Sequence, residues 1–128
     1  MYSVAQAMAG ELNQLKTHFE FMSVAAMMQE VDVFNERHEK AKAIVASVIK
    51  ALDADDSNQL AGAIMRELEG TEMGAGLQEM AQGEPEDATE DMNTVKEMVG
   101  EDSELFTMVK ELVGFSNELR ALALRLSS

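Results

Sequence analysis

Residues 105–126 read LFTMVKELVGFSNELRALALRL, and this stretch decides the fold class. Its large apolar side chains recur at steps of three and four residues, which places them along one side of an α-helix. The members of this C-terminal stripe are Leu105, Met108, Leu112, Phe115, Leu119, Leu122 and Leu126. An apolar side of this length has to be covered, either by other helices of the chain or by a second chain.

The first half of the chain carries two more stripes with the same stepping. One runs over residues 8–26, and the other runs over residues 27–48 but is offset from the first by about one residue. Such a change of phase indicates a break between two helices, which we place at about residues 29–35. No glycine or proline interrupts this region, so a single long helix that reaches Leu52 is the alternative.

The middle of the chain predicts two shorter helices. Asp56 and Gln59 stand at capping-box spacing before an apolar pattern, and Gly70 can end that helix in a left-handed conformation. Pro85 suits the first turn of the next helix, which Gly100 ends. Between them, residues 70–85 contain four glycines. We expect these residues to form a flexible acidic connection, with at most a weak helical turn at residues 77–81.

These patterns predict an all-α fold in which residues 1–128 form one domain, a compact antiparallel bundle of about three long and two short helices. The chain has no cysteine, so packing and not disulfides must hold the fold together. No stretch approaches the roughly 18 apolar residues that a membrane span needs, and the first residues lack the pattern of a secretion signal. We therefore expect a cytoplasmic protein that does not enter membranes.

The acidic charge of the chain is concentrated in its middle. Residues 1–52 carry six acids and five bases, residues 53–104 carry sixteen acids and two bases, and residues 105–128 carry two acids and three bases. The middle segment alone therefore has a net charge of −14, equal to that of the whole chain. This charge repels phosphates, so it disfavours direct binding to nucleic acid or anionic lipid and favours a basic protein partner.

Patterns that would carry catalysis or bind a metal are incomplete. Residues 53–60 (DADDSNQL) are similar to the start of a calcium-binding loop, but Asn58 and Ile64 stand where that loop needs a glycine and a bidentate glutamate. His18 and His38 lack the Glu-x-x-His spacing of di-iron bundles, and we expect His38 to line a helix interface. There is no cysteine, no nucleophile elbow and no phosphate-binding glycine loop. We expect no enzyme, cofactor or metal.

The stripes contain more apolar residues than we expect the core of this chain to need, and the chain has eleven methionines. Both features indicate a protein that binds another protein. Methionine side chains are flexible and adapt to varied partners, as a chaperone, adaptor or small regulator requires. The expected apolar binding residues are Met22, Met27, Met28, Met108, Leu112, Phe115 and Leu119.

Two alternatives follow from other features of the chain. The first is an inhibitor that mimics nucleic acid and occupies the site of a basic nucleic-acid-binding protein, its carboxylates standing in for phosphates. Its acidic binding residues would be Glu84, Glu86, Asp87, Glu90, Asp91, Glu101 and Asp102. The second is a structural homo-oligomer that assembles through the C-terminal stripe.

Overall fold

The computed structural model describes residues 2–56, 58–83 and 89–127. Within these ranges the regular elements are all helices, and no strand is present. The helices are α1 (Tyr2–Met27), α2 (Val31–Asp53), α3 (Leu60–Glu67), α4 (Glu72–Gln82), α5 (Thr89–Val99) and α6 (Glu104–Ser127). The all-α prediction is confirmed. The expected set of three long and two short helices lacked α4, so three short helices accompany the three long ones.

The core is built from the three apolar stripes that the sequence shows. α1 packs most extensively against α2, and α6 contacts both of them as well as α3 and α4. All buried side chains in the described ranges are apolar. The largest of those that are fully buried are Phe34, Phe115, Leu12, Leu15, Met22, Ile64, Leu68, Leu77, Leu122 and Val48. Packing of apolar side chains therefore holds these helices together.

α1 and α2 are separated by a short link at residues 28–30, close to the predicted break. Gln29 takes a left-handed conformation with φ of 56°. The amide of Glu30 then donates a 2.8 Å hydrogen bond to the carbonyl oxygen of Ala25, which satisfies one of the free carbonyls at the end of α1. The alternative of one unbroken helix that reaches Leu52 is wrong.

Two predicted helix ends agree with the structure. Gly70 and Gly100 adopt left-handed conformations with φ of 81° and 89°, one after α3 and the other after α5. Ser103 precedes α6 and caps it, because its hydroxyl oxygen accepts a 3.1 Å hydrogen bond from the amide of Leu105.

The start of α3 differs from the prediction. The amide of Leu60 donates a 2.7 Å hydrogen bond to the carboxylate of Asp55, whereas the prediction named Asp56 as the cap. Gln59 occupies the N-cap position and makes no side-chain capping bond. Several acidic residues precede α3, and each could accept a hydrogen bond from the free amides of its first turn. The path of the turn decides which of them does.

Residues 72–82 form α4 where the sequence predicted mainly connection. The hydroxyl oxygen of Thr71 caps the helix by accepting a 3.1 Å hydrogen bond from the amide of Gly74. Gly74 is buried, and a Cβ atom added to it would overlap the carbonyl oxygen of Leu68. This glycine therefore permits close packing and does not break the helix. The flexibility of the connection stays a prediction.

None of the described helices combines the length and the apolar character that crossing a lipid bilayer requires.

Two glycine substitutions test the packing of α4. We expect Gly74→Ala to lower the free energy of unfolding by about 1–3 kcal/mol, because the new methyl group strains a tight contact. Gly62→Ala in α3 is the matched control, since a Cβ there meets nothing within 4 Å. We expect it to raise the free energy of unfolding by about 0.5–1 kcal/mol, because alanine favours the helix. Urea unfolding followed by circular dichroism measures both free energies of unfolding. Equal changes in the two variants would contradict the close packing at Gly74.

Candidate functional site

Exposed apolar side chains are concentrated where α1 ends and α2 begins. Ten large apolar side chains are exposed in the described ranges, and half of them lie within residues 21–33. These are Phe21, Val24, Met27, Met28 and Val33, which we call the corner surface. Met27 and Met28 expose 80% and 65% of their surface. Apolar groups clustered in this way mark sites of interaction more often than scattered ones do.

The corner surface extends across both helices. Phe21 and Val24 lie three residues apart at the end of α1. Met28 follows Val24 by four residues on the same side, because its amide still donates a 2.9 Å helical hydrogen bond to the carbonyl oxygen of Val24. The guanidinium carbon of Arg37, in α2, lies 4.3 Å from the centre of the Phe21 ring. Val33 is four residues before Arg37 and therefore on the same side of α2. This cation–π contact joins the apolar sides of the two helices into one face.

Arg37 also contacts His18, which is not part of the corner surface. One of its terminal nitrogens lies 3.1 Å from Nδ1 of His18. Arginine can only donate hydrogen bonds, so Nδ1 must accept and the imidazole must be neutral. Burial lowers the pKa of His18, and the positive charges of Arg37 and Lys40 lower it further. The electrostatics and the hydrogen bond therefore agree on an uncharged His18.

The rim of the corner surface is acidic. Glu30 lies in the link, Asp32 lies in the first turn of α2, and both are exposed. Neither forms an ion pair with any residue that the structure describes. Their charges are therefore available to a positively charged partner.

The seven predicted apolar residues divide into three groups. Met27 and Met28 are exposed in the corner surface, and Leu112 is half-buried against the core. The other four, Met22, Met108, Phe115 and Leu119, are buried in the core. This corrects the sequence interpretation, because a side chain enclosed by its own bundle does not reach a partner. Most of the C-terminal stripe behind the homo-oligomer hypothesis is covered in the same way.

Four of the seven predicted acidic residues fall within the described ranges, and all four are exposed. Glu90 and Asp91 lie in the first turn of α5, and Glu101 and Asp102 lie between α5 and α6. A carboxylate oxygen of Glu101 is 3.5 Å from the amino group of Lys96. Glu84, Glu86 and Asp87 lie outside the described residues.

The sequence interpretation missed Phe21, Val24 and Val33. All three are large apolar residues that fall off the regular stripes of α1 and α2. A residue of this kind points away from the core that the stripe faces, so the off-stripe position was the available signal.

Comparisons with protein families, with curated proteins and with solved structures find no match to this chain. Within the described ranges, no three His, Asp or Glu side chains gather as the ligands of a metal ion would. The corner surface itself offers apolar area with an acidic rim, an arrangement suited to contact with another macromolecule.

His38 lies at a helix interface, as the stripe of α2 predicted. Its ring centre is 5.7 Å from that of Phe34 and 5.9 Å from that of Phe115, and its Nδ1 is 3.6 Å from a carboxylate oxygen of Glu111. Burial is the main cause that lowers the pKa of His38, and Lys42 adds to it. The nearby carboxylates of Glu111, Glu118 and Glu39 act in the opposite direction.

We expect acid to destabilise the fold through both histidines. Their pKa values are lower in the folded chain than the ordinary value of 6.5, so the unfolded chain takes up protons first as the pH falls. The free energy of unfolding should therefore decrease from about pH 7.5 to pH 5.5. The double variant His18→Gln/His38→Gln should show a smaller decrease over the same range. NMR titration of the two imidazoles measures the pKa values directly, and a value above 6.5 for either would contradict the assignment.

Proposed function

We propose that this protein is a non-catalytic interaction protein of the cytoplasm, a chaperone, adaptor or small regulator, that binds another protein at the corner surface. The observation that carries the proposal is the concentration of exposed apolar side chains at this one place. Met27 and Met28 remain from the set expected from the sequence, and Phe21, Val24 and Val33 join them. Removing this area from water on binding supplies the driving force.

The partner in this proposal is an amphipathic helix with an apolar side flanked by Lys and Arg. Such a helix places its apolar side chains against Val24, Met27 and Met28, and the flexible thioethers of the two methionines adapt to its shape. Its basic residues meet Glu30 and Asp32 on the rim. The net charge of −14 also attracts a basic segment over distance, which speeds encounter and depends on salt.

We also propose that α1 and α2 run antiparallel, which puts the corner surface at one end of the bundle. The contact of Arg37 with Phe21 supports this, because Arg37 comes six residues after the start of α2 and Phe21 six residues before the end of α1. An end position leaves the corner open to a partner without disturbance of the core.

A synthetic helical peptide tests the corner surface. The probe carries Leu at steps of three and four on one side and Lys on the flanks, and fluorescence anisotropy measures its affinity. We expect the double variant Met27→Ser/Met28→Ser to bind at least about ten times more weakly, because each buried methionine contributes on the order of 1.5–3 kcal/mol. The control is Met98→Ser in α5, a methionine that is 77% exposed but outside the corner.

The control variant should bind the peptide within about twofold of the unmodified chain, which is within ordinary surface effects. Equal binding by all three proteins would reject the corner surface as the site. A comparable loss in the double variant and in Met98→Ser would reject it as well, since the peptide would then recognise exposed methionine anywhere.

The nucleic-acid mimic stays a second candidate because of α5. This helix has no buried residue among those described. It exposes Glu90 and Asp91 in its first turn, and Glu101 and Asp102 are exposed beyond its other end. This candidate predicts two properties of binding to a basic protein. The affinity should fall steeply from low to physiological salt, and it should survive the Met27/Met28 double substitution. We expect Glu90→Gln/Asp91→Asn to weaken binding in that case and to leave it unchanged if the corner surface is the site.

A further inference from the structure

α1, α4 and α6 line two adjoining, half-open cavities, and no residue of the corner surface is among their linings. The inner cavity has a volume of about 170 Å³ and is lined mainly by Leu15, Phe19, Met73, Leu77, Met80 and Leu119. The outer cavity, of about 450 Å³, shares Phe19, Gly76 and Met80 with the inner one and adds the polar side chains of Glu79, Asn117 and Arg120. The two cavities therefore form one groove, apolar at its inner end and polar at its mouth.

The inner end of the groove suits an alkyl chain. Its lining is almost wholly carbon and sulfur, and water gains too few hydrogen bonds there to be held. Apolar cavities of about 150 Å³ in other proteins take up small apolar molecules for this reason. Lys16 and Glu72 stand at the edge of this cavity, but they are 2.7 Å apart and paired with each other. Lys16 also pairs with Glu20, so its charge is already neutralised.

Arg120 supplies the polar end. One terminal nitrogen of its guanidinium group donates a 3.0 Å hydrogen bond to the carbonyl oxygen of Gly83. Its terminal nitrogens carry further N–H groups, which can donate to an acceptor in the outer cavity that Arg120 lines. Guanidinium groups match carboxylates best, because the two planar groups can form paired hydrogen bonds.

Gly76 keeps the groove continuous. It lies in α4 beside both cavities, and a Cβ atom added to it meets nothing within 4 Å. A larger side chain at position 76 would therefore enter the groove without straining the backbone. Gly74, two residues earlier, differs because its Cβ would collide with Leu68.

We propose that this groove binds a long-chain carboxylate, with its alkyl chain running from the inner cavity along the apolar walls of the outer one and its carboxylate at Arg120. Charge complementarity selects the head group, because Arg120 is a cation at the mouth whose terminal N–H groups can pair with a carboxylate. Glu79 on the same rim opposes an anion. The site is independent of the corner surface, so either one can be present without the other.

Dodecanoate is the probe for this site, and calorimetry measures its affinity. NMR of methionine methyl groups locates it, because bound dodecanoate should shift the signals of Met73 and Met80 and leave those of Met27, Met28 and Met98 unchanged. We expect Gly76→Leu to abolish binding by filling the groove. Gly62→Leu in α3 is the control and should bind normally, since a Cβ at position 62 also meets open space.

The head group is tested with two further variants and a second probe. Arg120→Gln should weaken dodecanoate binding by at least about tenfold, the usual loss of a charge-assisted hydrogen bond. Glu79→Gln should tighten it. Dodecylamine, with the same chain and a positive head, should bind more weakly than dodecanoate to the unmodified protein. Arg120→Gln also keeps the test decisive if Gly76→Leu does not fold by circular dichroism.

Three results would overturn the proposal. The first is normal binding by folded Gly76→Leu, and the second is dodecylamine affinity equal to or above that of dodecanoate. The third is a set of shifts confined to Met27, Met28 and Met98, which would mean surfactant adsorption on exposed methionines.

Discussion

The structure depends on the burial of the apolar side of α6 against the other helices. Phe115 shows the constraint, since its ring stacks on Phe19 of α1 at 5.9 Å and meets the edge of His38 of α2 at the same distance. Each large apolar side chain buried in this way contributes about 1.5–3 kcal/mol. The described core contains no buried polar side chain, so complementary shape alone decides how the helices fit. The positions of the corner surface and of the groove both follow from this packing.

The sequence predicted the long helices well because their stripes repeat over many turns. Each of α1, α2 and α6 carries six or seven apolar residues in phase, and errors at single positions do not change the pattern. The glycine-terminated ends were also predictable, since Gly70 and Gly100 need only a local left-handed conformation. α4 was missed because the role of Gly74 depends on the backbone of Leu68, which approaches it only in the folded chain.

The binding residues were harder to predict than the helices. Periodicity identifies the apolar side of a helix but does not show whether the chain itself covers that side. Other helices of the same chain, and not a partner, therefore cover four of the predicted binding residues: Met22, Met108, Phe115 and Leu119. The exposed residues Phe21 and Val24 fall off the stripes. Only the contact of Arg37 with the Phe21 ring, which the sequence does not reveal, joins this side of α1 to α2 in one face. The groove could not be predicted at all, because its walls come from three helices distant in sequence.

α5 differs from every other helix in how it is attached. It packs mainly against α6, and none of its residues is buried. If α5 comes away from the bundle, it therefore withdraws no buried side chain of its own from the core, and the other helices can keep their mutual contacts. Parts of a protein that bury little apolar surface open at a small fraction of the free energy of global unfolding. The backbone amides of α5 should consequently exchange with deuterated solvent long before those of α1 and α2, and proteases should cut the chain there first.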